Sequence, residues 1–108
     1  MSRFGQSQAR GRRSVPRRQS SLVVILTSPA GDHPVGLVDI SRTGARMQGE
    51  ILPSVGDPLT FQAEQFRTFG ELVWRKGNTC AMEFDIPIAA GEVEQLRSLN
   101  AAPNVHQA

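Results

Sequence analysis

The chain has 108 residues, enough for one domain, and its 39% hydrophobic and 20% charged content is that of a globular fold rather than a fibrous or low-complexity one. Net charge is +2, yet residues 1–18 carry six Arg and no acid, leaving a balance of −4 in residues 19–108, which excludes a body that is basic throughout. Cys80 is the sole cysteine, so an internal disulfide and a Cys-based zinc site are excluded and a reducing, cytoplasmic setting is expected.

Residues 1–11 are rich in Ser, Gln, Gly and Arg and cannot bury enough surface to offset their ordering entropy, so a disordered arm is expected there. In Arg12-Arg13-Ser14-Val15-Pro16-Arg17-Arg18, Pro16 fixes its own φ and pushes Val15 out of the helical region, which predicts extended or polyproline-like chain. A β-rich run covers residues 21–27, and the turn-forming residues from Ser28 to Pro34 predict a loop, with His33 at the surface. The apolar run from Leu22 to Leu26 is too short to span a bilayer, and the Arg-rich start lacks an apolar signal region, so no membrane insertion is expected. Val35 to Val38 continues as a strand ending at Asp39. Asp39-Ile40-Ser41-Arg42-Thr43-Gly44 then forms a polar turn into a strand over residues 45–51.

Pro53 to Pro58 reads as a turn, and Leu59 to Glu64 alternates with period two. Strands follow over residues 69–75 and 79–85, joined by a tight turn at Lys76-Gly77-Asn78, with Cys80, Met82 and Phe84 on one face and Cys80 buried. Trp74 is assigned to core or barrel-end packing, with a contact to a ligand as the alternative. Residues 89–100 hold the helical pattern, with Val93, Leu96 and Leu99 or Asn100 along one side and Glu92 and Glu94 near its positive end. Residues 101–108 are expected to be a flexible tail. Together these elements predict a mainly β fold: a small six-stranded antiparallel barrel over residues 12–100, with one C-terminal helix covering its open end.

The chemistry-bearing residues fall in two groups. Arg13 and Arg17 are four apart on extended chain, so they share a side at about 13 Å separation. Guanidinium forks grip phosphate, pair with guanine O6 and N7, and stack on bases. Asp39 and Ser41, two apart, share a face of extended backbone, and Gly44 can take the positive φ that leaves backbone N–H groups bare. A carboxylate accepts the N1–H and N2–H of a guanine edge, which adenine cannot supply, so the two groups together point to a guanine nucleotide bearing phosphate.

Arg13-Ser-Val-Pro-Arg17 and, after 21 intervening residues, Asp39-Ile-Ser41-Arg-Thr-Gly44 resemble the paired signature of PilZ domains, Arg-x-x-x-Arg followed by Asp or Asn-x-Ser-x-x-Gly. Gly70 to Trp74 and Cys80 to Phe84 are similar to that family's closing strands. The resemblance spans residues 12–98 and implies a six-stranded barrel that receives the bacterial second messenger cyclic di-GMP. It implies Arg13 and Arg17 as the clamp, Asp39 and Ser41 as guanine readers, and Gly44 as turn former. Arg12 precedes the motif, where a basic residue in the family goes with binding an intercalated ligand dimer. Arg18, Arg42 and Arg46 are secondary candidates. Thr43 stands where many members carry a second Gly.

Six Arg repel one another in a free arm, and a ligand with two phosphates would cancel that repulsion and draw the arm onto the Asp39 turn, creating a face for a downstream protein. The alternatives are a PilZ-like interaction module without ligand and a small nucleic-acid-binding barrel. The acidic body, the lack of Tyr and the absence of Phe clusters for base stacking count against the second. No catalytic residues, cofactor or metal site are expected: His33 and His106 lie far apart, both at the surface, with no partners for nucleophilic or metal chemistry.

Overall fold

The computed structural model describes residues 21–101. Strands β1 (Val23–Ser28), β2 (Gly31–Ile40), β3 (Gly44–Gln48), β4 (Pro58–Ala63), β5 (Phe66–Lys76) and β6 (Thr79–Phe84) precede helix α1 (Ala90–Ala101). They close in the order β1-β2-β3-β6-β5-β4, every neighbouring pair antiparallel and β4 pairing back onto β1. The mainly β barrel with one C-terminal helix expected from the sequence is thus the observed fold. Closure leaves no sheet edge unpaired, which removes the aggregation liability of an open sheet.

Alternation determines the core. Val24 and Leu26 from β1, Leu59 and Phe61 from β4, and Cys80, Met82 and Phe84 from β6 all point inward and are buried. Phe61, with no exposed surface, meets Phe84 and Phe66 edge-on at 5.6 and 6.2 Å between ring centres. Val93 and Leu96 add the buried side of α1 to the same core, whereas Leu99 is 37% exposed. The helix packs against β2.

Three readings of the chain order are corrected. Ser28 to Pro34 is not a loop, because the turn is only Pro29-Ala30 and the two strands pair down to Ser28 and Gly31. His33 consequently sits inside β2, and it is buried rather than at the surface. Its Nδ1 faces Ile51 O at 3.3 Å and its Nε2 faces Ser28 Oγ at 2.8 Å. Since a carbonyl only accepts, Nδ1 carries the proton, and in the neutral ring Nε2 accepts from the Ser28 hydroxyl. β5 begins three residues before the expected start at Phe69, because Phe66, Arg67 and Thr68 pair with β4 across the Glu64-Gln65 turn. The expected turn before β6 is present, with Gly77 at φ 59°.

Among the described residues no helix is long and apolar enough to cross a membrane. Residues 1–20 and 102–108, with the expected arm, Arg12, Arg13, Arg17, Arg18, His106 and the tail, lie outside the described residues.

Candidate functional site

The position of Asp39 depends on a bulge. His33, Val35 and Leu37 are the inward residues of β2, and strict alternation would send Asp39 inward next. The register shifts between Leu37 and Asp39, so Val38 is the extra residue, Ile40 turns inward at 2% exposure, and Asp39 faces out. β5 repeats the device: the register shifts between Leu72 and Trp74, Val73 is the extra residue, and Trp74 turns outward at 41% exposure. This overturns the packing role assigned to Trp74. Arg75 pairs with Cys80 but stays exposed, and its Nη1 donates to Leu52 O and Pro53 O.

The two bulges leave a single row across the outer surface. Asp39 pairs with Arg46, Arg46 with Ala81, and Ala81 with Trp74, which at about 4.8 Å per strand spans about 14 Å. A carboxylate lies at one end of the row, an indole at the other, and the small Ala81 forms the floor between them. An open hollow of about 200 Å³ lies over this floor, lined by Asp39, Ile40, Ser41, Gly44, Ala45, Arg46, Ala81 and Met82. Ligand pockets run from about 300 to 1,000 Å³, so this hollow suits one flat ring and not a whole dinucleotide.

The turn is built from its own polar groups. Ser41 N donates to Gly44 O at 2.8 Å, Thr43 N to Ser41 Oγ at 3.2 Å, and Ile40 N to Asp39 Oδ1 at 2.9 Å. The expected bare amides are therefore engaged at Ile40, Ser41 and Thr43. Gly44 does not adopt a positive φ, correcting the sequence reading; the glycine is required because a Cβ there would collide with Met82 O on β6. Asp39 Oδ2 accepts from Arg46 Nη2 at 3.5 Å, an ion pair about half exposed on both sides. Such a pair contributes on the order of 0–1 kcal/mol, so a ligand can displace Arg46 from the carboxylate at small cost.

The turn is fastened from behind. Arg42 N-terminal to Thr43 donates through Nε to Ile88 O at 2.9 Å while Ile88 N returns a bond to Arg42 O at 2.8 Å. Phe84 N donates to Thr43 O, and Arg97 of α1 donates twice to Ile40 O at 3.2 and 3.0 Å. Arg42, a secondary binding candidate, is thus committed through Nε to the backbone. At the other edge Leu22 N donates to Asn100 Oδ1 at 2.8 Å, and Leu37 N to Leu22 O at 2.9 Å, so the chain arriving from the Arg-rich segment enters the barrel two residues before Asp39 along β2.

Of the sequence-selected residues, Asp39, Ser41, Gly44 and Arg46 come together at the hollow, and Arg42 sits in the same turn. Sequence reading missed Ala81, which only the β6 pairing brings into the row, and favoured packing over a ligand contact for Trp74, which the β5 bulge turns outward; it gave no role to Arg97 and placed Asn100 only as an alternative to Leu99 on the helix's packed side. Among the described residues no group of three or more His, Cys, Asp or Glu could hold a metal ion.

Comparison with known proteins agrees with the architecture. The sequence model of the PilZ domain matches residues 11–102, spanning the Arg-rich segment, the barrel and the helix. No curated protein and no solved structure matches. PilZ domains are in general a family of cyclic di-GMP receptors, and a binding family rather than an enzyme family. With most of its length matched by that model, and with the barrel and C-terminal helix in place, the chain belongs to the PilZ domain family.

Proposed function

We propose that this chain binds cyclic di-GMP between its Arg-rich segment and the Asp39–Gly44 turn, and that binding orders the arm against the barrel to present a face to a downstream protein. The observation that carries this reading is the outward hollow in which Asp39, Ser41 and Gly44 converge beside the entry point of the chain at Leu22. Arg17 precedes Leu22 by five residues, a reach of up to about 17 Å, while Asp39 lies about 7 Å along β2 from Leu37. The arm is therefore long enough to close over the hollow.

In this reading Asp39 accepts the N1–H and N2–H of one guanine, releasing Arg46 to the ligand's phosphate side, and Ser41 holds the base edge. Arg13 and Arg17 clamp phosphate and guanine from above, with Arg12 and Arg18 adding charge. Stacking of Trp74 on the ligand is supported by its exposure and by its pairing with Ala81, at the far end of the row that begins at Asp39. The hollow alone is too small for a dinucleotide, and the arm supplies the missing wall.

The test is isothermal titration of the full chain with cyclic di-GMP beside cyclic di-AMP, GTP and a short RNA. Saturable binding of cyclic di-GMP alone is expected, and its stoichiometry distinguishes one ligand from an intercalated pair. Silence toward all nucleotides would leave an interaction module, and salt-sensitive RNA binding would make the arm a polyanion contact.

A further inference from the structure

Between β4 and β5 the chain carries a strained residue. Ala63 pairs with Phe66, leaving Glu64 and Gln65 as a two-residue hairpin turn, and Glu64 takes φ 56°. Both favoured turns of this length need a positive φ at that position, which suits Gly, Asn or Asp and disfavours a longer side chain. Among the described residues Glu64 is the only non-glycine with a positive φ. A residue held there at a cost in stability points to a use for its side chain.

That side chain borders an open groove between the turn and α1. A hollow of about 320 Å³ is lined by Ala63, Phe66, Leu96 and Leu99, with a carboxylate from the turn, Glu64, and one from the helix, Glu92, and with no cation. A second hollow, of about 500 Å³, shares Phe66 and Glu92 with it and extends the groove to Ile86, which is 73% exposed. Its one cation, Arg67, donates through Nη2 to Gln62 Oε1 on β4.

We infer that this groove docks a basic amphipathic helix of a partner protein, whose apolar side chains cover Phe66, Leu96 and Leu99 and whose Lys or Arg meets Glu64 and Glu92. Charge selects the class of partner. The two carboxylates repel nucleic acid and anionic lipid, whereas a lysine or arginine lays its apolar stem on the floor and brings its charge to the rim. Length selects the form: Glu92 to Leu99 runs about 10 Å along α1, the distance between the i and i+7 anchors of a helix lying beside it. Sharing no residue with the hollow over Ala81, the groove can be occupied whether or not cyclic di-GMP binds there.

The test titrates the full chain, followed by NMR amide shifts, with three synthetic peptides: an amphipathic one of Leu and Lys, one with Glu in place of Lys, and one with Ser in place of Leu. Saturable shifts of residues 64–66 and 92–99 are expected with the Leu–Lys peptide, and binding about tenfold weaker with the other two. Glu64→Gly is expected to raise Tm by about 4–8 °C, since glycine takes the same φ without strain, while weakening the Leu–Lys peptide about two- to fivefold, the range of an exposed ion pair. Glu92→Gln should weaken it by a similar factor without the gain in Tm. Equal binding of the Ser–Lys peptide would reduce the contact to charge alone and overturn the inference, and equal binding of the Leu–Glu peptide would reduce it to apolar contact with the same result. So would a Glu64→Gly chain that melts lower, or one that melts higher with unchanged affinity, because the glutamate would then serve the turn or nothing at all.

Discussion

At the scale of single residues, the reading divides side chains that face the ligand from those that hold the backbone. Asp39→Ala should erase the preference for cyclic di-GMP over cyclic di-AMP, measured by paired titrations, because a methyl group accepts from neither base. An intact preference would remove Asp39 from the reader role. Arg13→Ala and Arg17→Ala should each weaken cyclic di-GMP by about 1.5–3 kcal/mol with an unchanged melting curve, the range for a charge-assisted hydrogen bond. Cys80 supplies a pH prediction away from the site. Burial pushes its thiol up to about 11 from 9.0, with the Arg75 guanidinium pulling the other way. The protonated thiol is favoured more in the folded chain than in the unfolded one, so this contribution is full below pH 9 and is lost as pH rises through about 11. The urea midpoint of the unmodified chain should fall over that window more steeply than that of Cys80→Ala, which is less stable overall but lacks the thiol. With no Tyr in the chain, few other groups titrate there.

At the scale of elements, the β2 and β5 bulges decide which side chains the outer surface carries. Val38 and Val73 are each the extra residue of a bulge, so a strand that begins with odd positions inward ends with Ile40 inward, and one that has Gly70 and Leu72 inward carries Trp74 outward. The local sequence gives no sign of either shift, since both stretches read as apolar β-branched chain. The β3–β6 pair carries a second constraint at Gly44. Gly44→Ala forces a Cβ against Met82 O, backbone that cannot rotate away, and should cost about 1–3 kcal/mol as overpacking does. Thermal denaturation would show this as a lower Tm together with weaker ligand binding, whereas a variant melting like the unmodified chain would mean that the two strands can part without penalty.

At the scale of the whole molecule, fold and recognition occupy different parts of the chain. Among the described residues the core runs from Leu22 to Leu96, while six of the twelve basic side chains precede residue 19. A chain beginning at Gln19 should therefore unfold cooperatively near the melting temperature of the full chain, by circular dichroism, yet give no heat with cyclic di-GMP. Retained binding by that shortened chain would move the clamp from the arm to the barrel.

Composition and period-two alternation were enough to determine six strands, a terminal helix, the buried Cys80 and the Asp39 turn, because each is a local choice between facing water and facing the core. The tertiary structure alone decided the rest. His33 was buried by the pairing of Ser28 with Gly31, Trp74 was turned outward by a one-residue shift against β6, and Gly44 was selected by a carbonyl of a distant strand rather than by its own φ. Arg97 and Asn100 became anchors only when α1 came to rest against β2. Register, bulges and anchors are settled between residues far apart in the chain, where hydrogen-bond pairing and closure of the barrel leave one arrangement, and no local pattern encodes that choice.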